Sequence, residues 1–293
     1  MRRKPALSVV IASYNSERTI HRCLSSLQSQ ETDEDFEIIV VDSSTDHTAE
    51  IVEAEFPEAR LVRFSERRFC GDARNVGLSL AKGDIIALTD ADCTVTVTWV
   101  DEILTAHQSP HLAVGGAIAN AEPSGLVSWA AYFCEFSRWM PGSSPRWLDD
   151  IAGANVAYKK KAFEAYGCFI AGTYCSDTDF HWRLGRDGHR LLFLPQIRVS
   201  HHSIPTLGRF VRHEFEHGAC FARVRTHGQG FSRLKRMGYL ALAPLIPVKI
   251  MVQVLSNNVK NRVYVVHFLR ALPLILLGIV AWSAGEVVGY SGG

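Results

Sequence analysis

Over the first 120 positions, short apolar, β-branched runs alternate with stretches in which apolar residues recur every three or four places. Residues 7–12, 36–41, 59–64 and 84–88 form such runs and predict buried strands. Between them, Ile20, Cys23, Leu24 and Leu27 share one helical face, and Asn15 or Ser16 stands where a helix cap is expected. Ile51, Val52 and Phe56 mark a second helix, and residues 71–81 a third, closed by Lys82 and Gly83. Strands alternating with helices predict an α/β fold built on a doubly wound, mostly parallel sheet. Ligands of such sheets sit at the carboxyl ends of the strands, so the loops there become the places to search.

The pattern weakens from 121 to 150, where Trp129, Tyr132, Phe133, Phe136, Trp139 and Trp147 lie among Pro and Gly. Core packing or a loop hinge is the plain reading of these aromatics, and a lining for a sugar or lipid acceptor the sharper one. Residues 155–159, a capped helix over 176–186 and a strand over 191–194 restore the α/β character. The tail is different. Residues 237–255 and 263–284 are strongly apolar, and the second would extend about 33 Å as a helix. Pro244, Pro247, Lys249 and Gln253 make the first a poor spanning helix. Were it to cross, Lys260 and Arg262 would face outward, against the positive-inside tendency. The expectation is a first segment lying in the membrane interface and a second that spans or inserts.

Composition narrows the picture in three ways. A formal net charge of +1 gives no global signature of nucleic-acid binding. The basic residues nevertheless crowd from Arg209 through Arg212, Arg223, Arg225, Arg233 and Lys235 to Arg236, just ahead of the apolar tail, which favours anionic lipid or phosphate. Seven scattered cysteines without a CxxC pair argue against a disulfide framework and a zinc site, and fit a reducing compartment. The start, MRRKPALSVV, runs from a basic tip into a strand with no signal-peptide region, so the amino-terminal part is expected in the cytoplasm.

The sharpest chemical feature is ALTDADCT, with Asp90 and Asp92 directly after a buried strand. Positions two apart on an extended backbone point the same way, so both carboxylates can address one point. Hard oxygen ligands there suit Mg²⁺ or Mn²⁺ together with substrate phosphates. Asp42 ends the strand EIIVVD and can accept hydrogen bonds from a base or ribose, or merely cap its turn, a task for which Asp46 is the better placed.

The runs SVVIASYN, VDSSTDHT, GDARNVGL and TDADC, followed by GANVAYKKKAFEAYG and SDTDFHWRLGRDGHRLLFLPQIRVSHH, come in one order over about residues 5 to 205. Together they resemble the family 2 glycosyltransferases, which have the GT-A fold of nucleotide-diphospho-sugar transferases. The resemblance implies a catalytic domain over 1–232, with a nucleotide-sugar half at about 5–120 and an acceptor half at 121–232, and the apolar segments beyond it are expected to form a membrane-associated helical tail over 233–293. It implies that Ala12, Tyr14, Asn15, Asp42, Arg74, Asp90 and Ala91 surround the nucleotide sugar, Asp42 at the base and Arg74 at the nucleotide or the motif loop. Asp92, assisted by Asp90, would engage the diphosphate through the metal, with His201 approaching metal or diphosphate. Asp177 would be the general base, and Asp179, two residues on at a helix start, a structural partner. Arg209 and Arg212 could reach a phosphate.

Departures are visible. Ser176 stands where the family commonly has an acid, Ala12 where proline is frequent, and the QxxRW signature of processive members is absent. The function implied is inverting, metal-dependent, non-processive transfer from a nucleotide diphosphate sugar to a lipid-linked or glycan acceptor at the cytoplasmic face of the membrane. Nucleotidyl transfer would call for a glycine-rich basic loop after the first strand, which ASYNSERT does not offer. A silent sugar-nucleotide binder or membrane scaffold would have no need of Asp90, Asp92 and Asp177.

Overall fold

The computed structural model describes residues 4–202 and 206–292, so the basic tip before Lys4 lies outside the described residues. The strands are β1 (Leu7–Ser13), β2 (Phe36–Asp42), β3 (Arg60–Arg63), β4 (Ile85–Asp90), β5 (Cys93–Val95), β6 (Ala113–Asn120), β7 (Arg146–Leu148), β8 (Asn155–Lys159) and β9 (Leu191–His201). The helices are α1 (Ile20–Gln28), α2 (Thr48–Glu55), α3 (Cys70–Leu80), α4 (Trp99–Ala106), α5 (Leu126–Phe136), α6 (Lys160–Tyr166), α7 (Ser176–Arg186), α8 (Leu207–Gly228), α9 (Arg233–Ala241), α10 (Ile246–Asn261) and α11 (Val265–Ser291). The chain divides into two compact units. One holds the described residues through Ala119 with Ser144–Gly172 and Ser176–His201; the other holds Asn120–Ser143, Thr173–Cys175 and the described residues from His202.

The first unit is the sheet, in the order β3-β2-β1-β4-β8-β6-β9-β5, with β7 on β9. β3, β2, β1 and β4 run parallel, as the strand–helix alternation predicts. β8 then runs antiparallel to β4 and β6, and β5 and β7 antiparallel to β9. Leu7, Val9, Val10 and Ile11 of β1 are fully enclosed. Each such side chain stabilises the fold by about 1.5–3 kcal/mol, which explains why a continuous apolar run marks the sheet's central strands.

Local expectations shift in instructive ways. α1 begins after Thr19, without a side-chain cap, because the Asn15 amide is engaged elsewhere and only the Ser16 carbonyl meets the Thr19 and Ile20 N–H groups. α3 stops at Leu80 because the next backbone groups bind the sheet: Lys82 N–H donates to Glu37 and Gly83 N–H to the Ser8 hydroxyl. The last strand runs on to His201, well past the short segment its apolar run suggests.

The second unit is helical. Trp129, Tyr132, Phe133 and Phe136, which the sequence leaves between hinge, core and lining, lie buried on α5. The Trp129 ring stacks on His267, and Phe133 meets Phe268 edge-on. The first apolar tail segment is broken near its prolines into α9 and α10, which are bent by 52°. Among the described residues, α11 is the one unbroken helix long and apolar enough to cross a membrane.

Candidate active site

Strand register assembles the site. Ala12 of β1 lies beside Val41 of β2 on one side and Asp90 of β4 on the other, and Ser13 lies beside Asp42. The carboxyl ends of three parallel strands therefore bring Ala12, Asp42 and Asp90 to one edge. The loop after β1 is tied to the loop after β2. Asn15 adopts a left-handed backbone (φ 52°), which Asn tolerates better than most residues. Its side-chain oxygen accepts the Thr45 N–H at 2.9 Å, and its own N–H donates to the Ser44 hydroxyl at 2.7 Å. Asp42 is buried and accepts from the Ser44 hydroxyl and N–H, so part of its hydrogen-bonding capacity shapes the turn. Asp46 accepts the Thr48 N–H at the start of α2. Tyr14 is 40% exposed, with the Arg67 guanidinium 4.7 Å over its ring.

A buried cation stands behind this edge. Arg74, on α3, sends Nη2 to Asp90 Oδ1 at 2.8 Å. A Cβ added at Gly153 would sit 2.5 Å from Arg74 Nη1 and 2.7 Å from Asp177 Oδ2, so guanidinium and carboxylate meet over a residue with no side chain. Gly153 also donates its N–H to Asp177 Oδ2 at 2.7 Å, and Thr178 N–H donates to Oδ1 at 3.0 Å. Burial would push the Asp177 carboxyl up, but the charges of Arg74 and His181 and the two N–H groups hold it below its ordinary value. For Arg74, burial pulls the pKa down and the neighbouring Asp90 and Asp177 carboxylates more than reverse it. Asp90, Arg74 and Asp177 thus form one connected electrostatic group.

A second group adjoins it through the Asp90–Asp92 turn, in which Ala91 is buried. The antiparallel pairing of β5 with β9 sets Cys93 opposite His201, and His201 Nε2 lies 3.4 Å from Asp92 Oδ1. One ligand atom each of Asp92, Cys93 and His201 falls within 4.8 Å of the others. The Asp92 carboxylate is an oxygen donor of the kind Mg²⁺ and Mn²⁺ accept, with His201 beside it as an imidazole, a donor that suits a transition ion such as Mn²⁺ better than Mg²⁺, so the residues present fit such an ion. Burial and the charges of Asp92 and Asp90 keep the Cys93 thiol protonated.

Other supports had no distinguishing signal in the sequence. Asp150 Oδ1 meets His181 Nδ1 at 2.7 Å, and His181 Nε2 meets the Tyr158 hydroxyl at 2.6 Å, pinning α7 beneath Asp177. Asn155 bonds Trp99 and the carbonyls of Ala117 and Ile197, joining β8 to its neighbours. Asp179 turns from the site and pairs with Arg183 at 3.0 Å. Arg209 and Arg212 are exposed on α8.

Comparison with known proteins bears on the fold and the family. The uncharacterized glycosyltransferase YfnE of Bacillus subtilis is 38% identical over 106 residues, 35% of this chain and 27% of that relative, so the chain matches about a quarter of its length. The glucosyl-dolichyl phosphate glucuronosyltransferase of Haloferax volcanii is 23% identical over 219 residues, 67% of this chain and 68% of its own. The mannosyltransferase PcManGT of Pyrobaculum calidifontis, solved with GDP-Man and Mn²⁺, superposes with a TM-score of 0.65 at 19% identity, covering 97% of this chain and 88% of that one. That likeness shows the fold, the GT-A type of the nucleotide-diphospho-sugar transferases. The family model described as glycosyl transferase family 2 matches residues 8–167, more than half of the sequence, and the chain belongs to that family.

Proposed function

We propose that the protein is an inverting, metal-dependent glycosyltransferase that passes one sugar per encounter from a nucleotide diphosphate sugar to a lipid-linked or glycan acceptor at the cytoplasmic face of the membrane. The observation that carries this reading is the meeting of Arg74 and Asp177 at Gly153, with Asp90 paired to the same guanidinium. One edge of that group would face the donor and the other would supply a base.

In this reading Ala12, Tyr14, Asn15, Asp42, Arg74, Asp90 and Ala91 hold the nucleotide sugar, with Asp42 at the base. Asp177 takes the acceptor hydroxyl's proton as that oxygen attacks the anomeric carbon from the face opposite the diphosphate. The bond from the anomeric carbon to the phosphate oxygen breaks, and its electron pair leaves with the nucleotide. A single displacement of this kind inverts the anomeric configuration. Mg²⁺ or Mn²⁺ held by Asp92 and His201 would supply neutralisation of the charge growing on the diphosphate. The depressed pKa of Asp177 keeps it an anion at neutral pH, ready to accept. An acceptor that is itself an ionised polyprenyl phosphate would depend on Asp177 less.

Support for a membrane-bound acceptor comes from the apolar helix α11 and from the lipid-linked chemistry in the name of the Haloferax relative. The absent QxxRW run supports single transfer. A thermal-shift screen of nucleotide sugars with Mn²⁺ tests the donor half of the reading. At about 100 Kd a bound donor stabilises by about 2.7 kcal/mol, and Asp92→Ala should remove the Mn²⁺-dependent part of the shift. A full shift in that variant would overturn the metal assignment.

A further inference from the structure

The tail helices carry two incompatible faces. On α11, Val266, Leu269, Leu277, Val280 and Val288 are 39–61% exposed and recur along one side at helical spacing. α10 adds Val252 and Val259, 60% and 58% exposed. A soluble protein rarely leaves so long an apolar stripe in water. The charge of this segment is one-sided as well. From Arg233 onward the sequence has seven Lys and Arg against a single acid, Glu286, and that acid is buried. Lys249, Lys260 and Arg262 are exposed beside the apolar residues, and Arg270 is exposed on the stripe's own side of α11, where its long side chain can carry the charge out to headgroup level.

The opposite side of α11 is occupied. A Cβ at Gly218 of α8 would run into the Trp282 carbonyl, and one at Gly285 or Gly289 of α11 into the Phe215 or Ala219 carbonyl. The two helices therefore pack backbone to backbone over the second half of α11. Its first half is held by α5 through the Trp129–His267 and Phe133–Phe268 ring contacts. α8 is not a membrane helix: Arg212, Glu216 and Arg223 are exposed on it, and Glu214 is enclosed. Were α11 to cross a bilayer, this charged flank would be drawn into hydrocarbon, where each charge is strongly disfavoured.

We infer that α10 and α11 form a monotopic platform that lies in the plane of an anionic lipid surface, apolar stripe down, with α8 and α5 on the side away from the lipid. The inference rests on the membrane-bound reading above and sharpens it, choosing insertion along the interface over crossing. The apolar stripe would enter the acyl boundary while Lys249, Lys260 and Arg262 reach the headgroup phosphates, a division typical of interfacial helices.

Flotation of the full chain with preformed vesicles tests the surface. Phosphatidylcholine vesicles containing a quarter phosphatidylglycerol should bind at least tenfold better than pure phosphatidylcholine, and raised salt should reduce that preference. V252E/L277E, at two exposed positions, should lose binding at least tenfold while keeping the wild-type circular dichroism and Mn²⁺-dependent donor binding. Unchanged flotation of that variant, or equal binding to neutral vesicles, would overturn the proposal. So would a stable lipid-free dimer that the same substitutions dissociate, because the stripe would then belong to a second copy. Orientation is read by placing Trp at Val266, Leu277 and Val288 in turn and quenching with lipids brominated at graded depths. An in-plane helix gives three similar, shallow depths above the background of the unsubstituted protein. A deep value at 277 between two shallow ones would show a crossing helix and refute the platform. Donor binding is measured apart from lipid, so its failure would count against the proposed function and leave this surface to be judged separately.

Discussion

Asp177 in the sheet unit and Glu214 in the helical unit are both enclosed by protein, and their surroundings shift their pKa values in opposite directions. At Asp177 the Arg74 and His181 charges and two backbone N–H donors outweigh burial, and the group stays a carboxylate. At Glu214 burial is joined by repulsion from Glu135, one carboxyl oxygen has no hydrogen-bond partner among the described residues, and the pKa rises well above its ordinary value. Burial alone therefore does not choose the charge of an acid. The donors and counter-ions brought to it do. The sheet unit supplies them through β-strand ends and the Gly153 turn, where backbone N–H groups are free to point inward. The helical unit has already used its backbone N–H groups within the helices, so Glu214 lacks the donors that offset burial at Asp177 and its pKa is raised.

The largest effect is expected at Arg74. Arg74→Met leaves Asp90 and Asp177 without their buried counter-ion, and removing one partner of such a pair typically costs about 3–5 kcal/mol. Urea unfolding should show a loss of that order together with loss of donor binding. A change below about 1 kcal/mol would mean that Arg74 does not set the charge of this group.

The pH dependence sharpens the contrast with a smaller effect, because the two acids have opposite signs. Asp177 has a folded pKa below its unfolded one, so its contribution is present above the usual Asp range, near pH 4, and is lost as pH falls through the folded value. Glu214 has a folded pKa above its unfolded one. Between the two values the folded state holds a proton that the unfolded state has released, so stability declines as pH rises from about 4 through the folded value. Melting Glu214→Gln across pH 4 to 8 should flatten the alkaline decline and change Tm little at the acid end. An unaltered slope would show that Glu214 is ionised in the fold.

Much of the fold was legible because the central strands of the parallel half are enclosed on both faces and so read as unbroken apolar runs. β6 was not, since AVGGAIAN carries two glycines and little of a strand's usual bulk. α5 was hidden by its surroundings: the aromatic-rich sequence became interpretable only once α11, about 130 residues later, was seen to cover it. In the candidate site, Asp90 and Asp92 could be singled out as acids at the end of a buried run, but strand alternation does not unite them: β4 ends at Asp90, Asp92 lies in the turn beyond it, and the two carboxylates face Arg74 and His201 respectively. Gly153 could not be singled out. Its role is to leave room where Arg74 and Asp177, about a hundred residues apart in sequence, approach the same spot. The Asp150–His181–Tyr158 chain likewise joins three segments, and no local spacing announces it.

The central claim is that Asp177 serves as the base of a single inverting displacement. Its most direct test uses water as the acceptor: hydrolysis of the nucleotide sugar that stabilises the protein best, with Mn²⁺ present, followed by proton NMR of the sugar released. Wild type should first release the anomer opposite to the donor's, and Asp177→Asn should slow release by about 10²–10⁴-fold while binding the donor as before. Release of the donor's own anomer, or an undiminished rate in Asp177→Asn, would contradict the account.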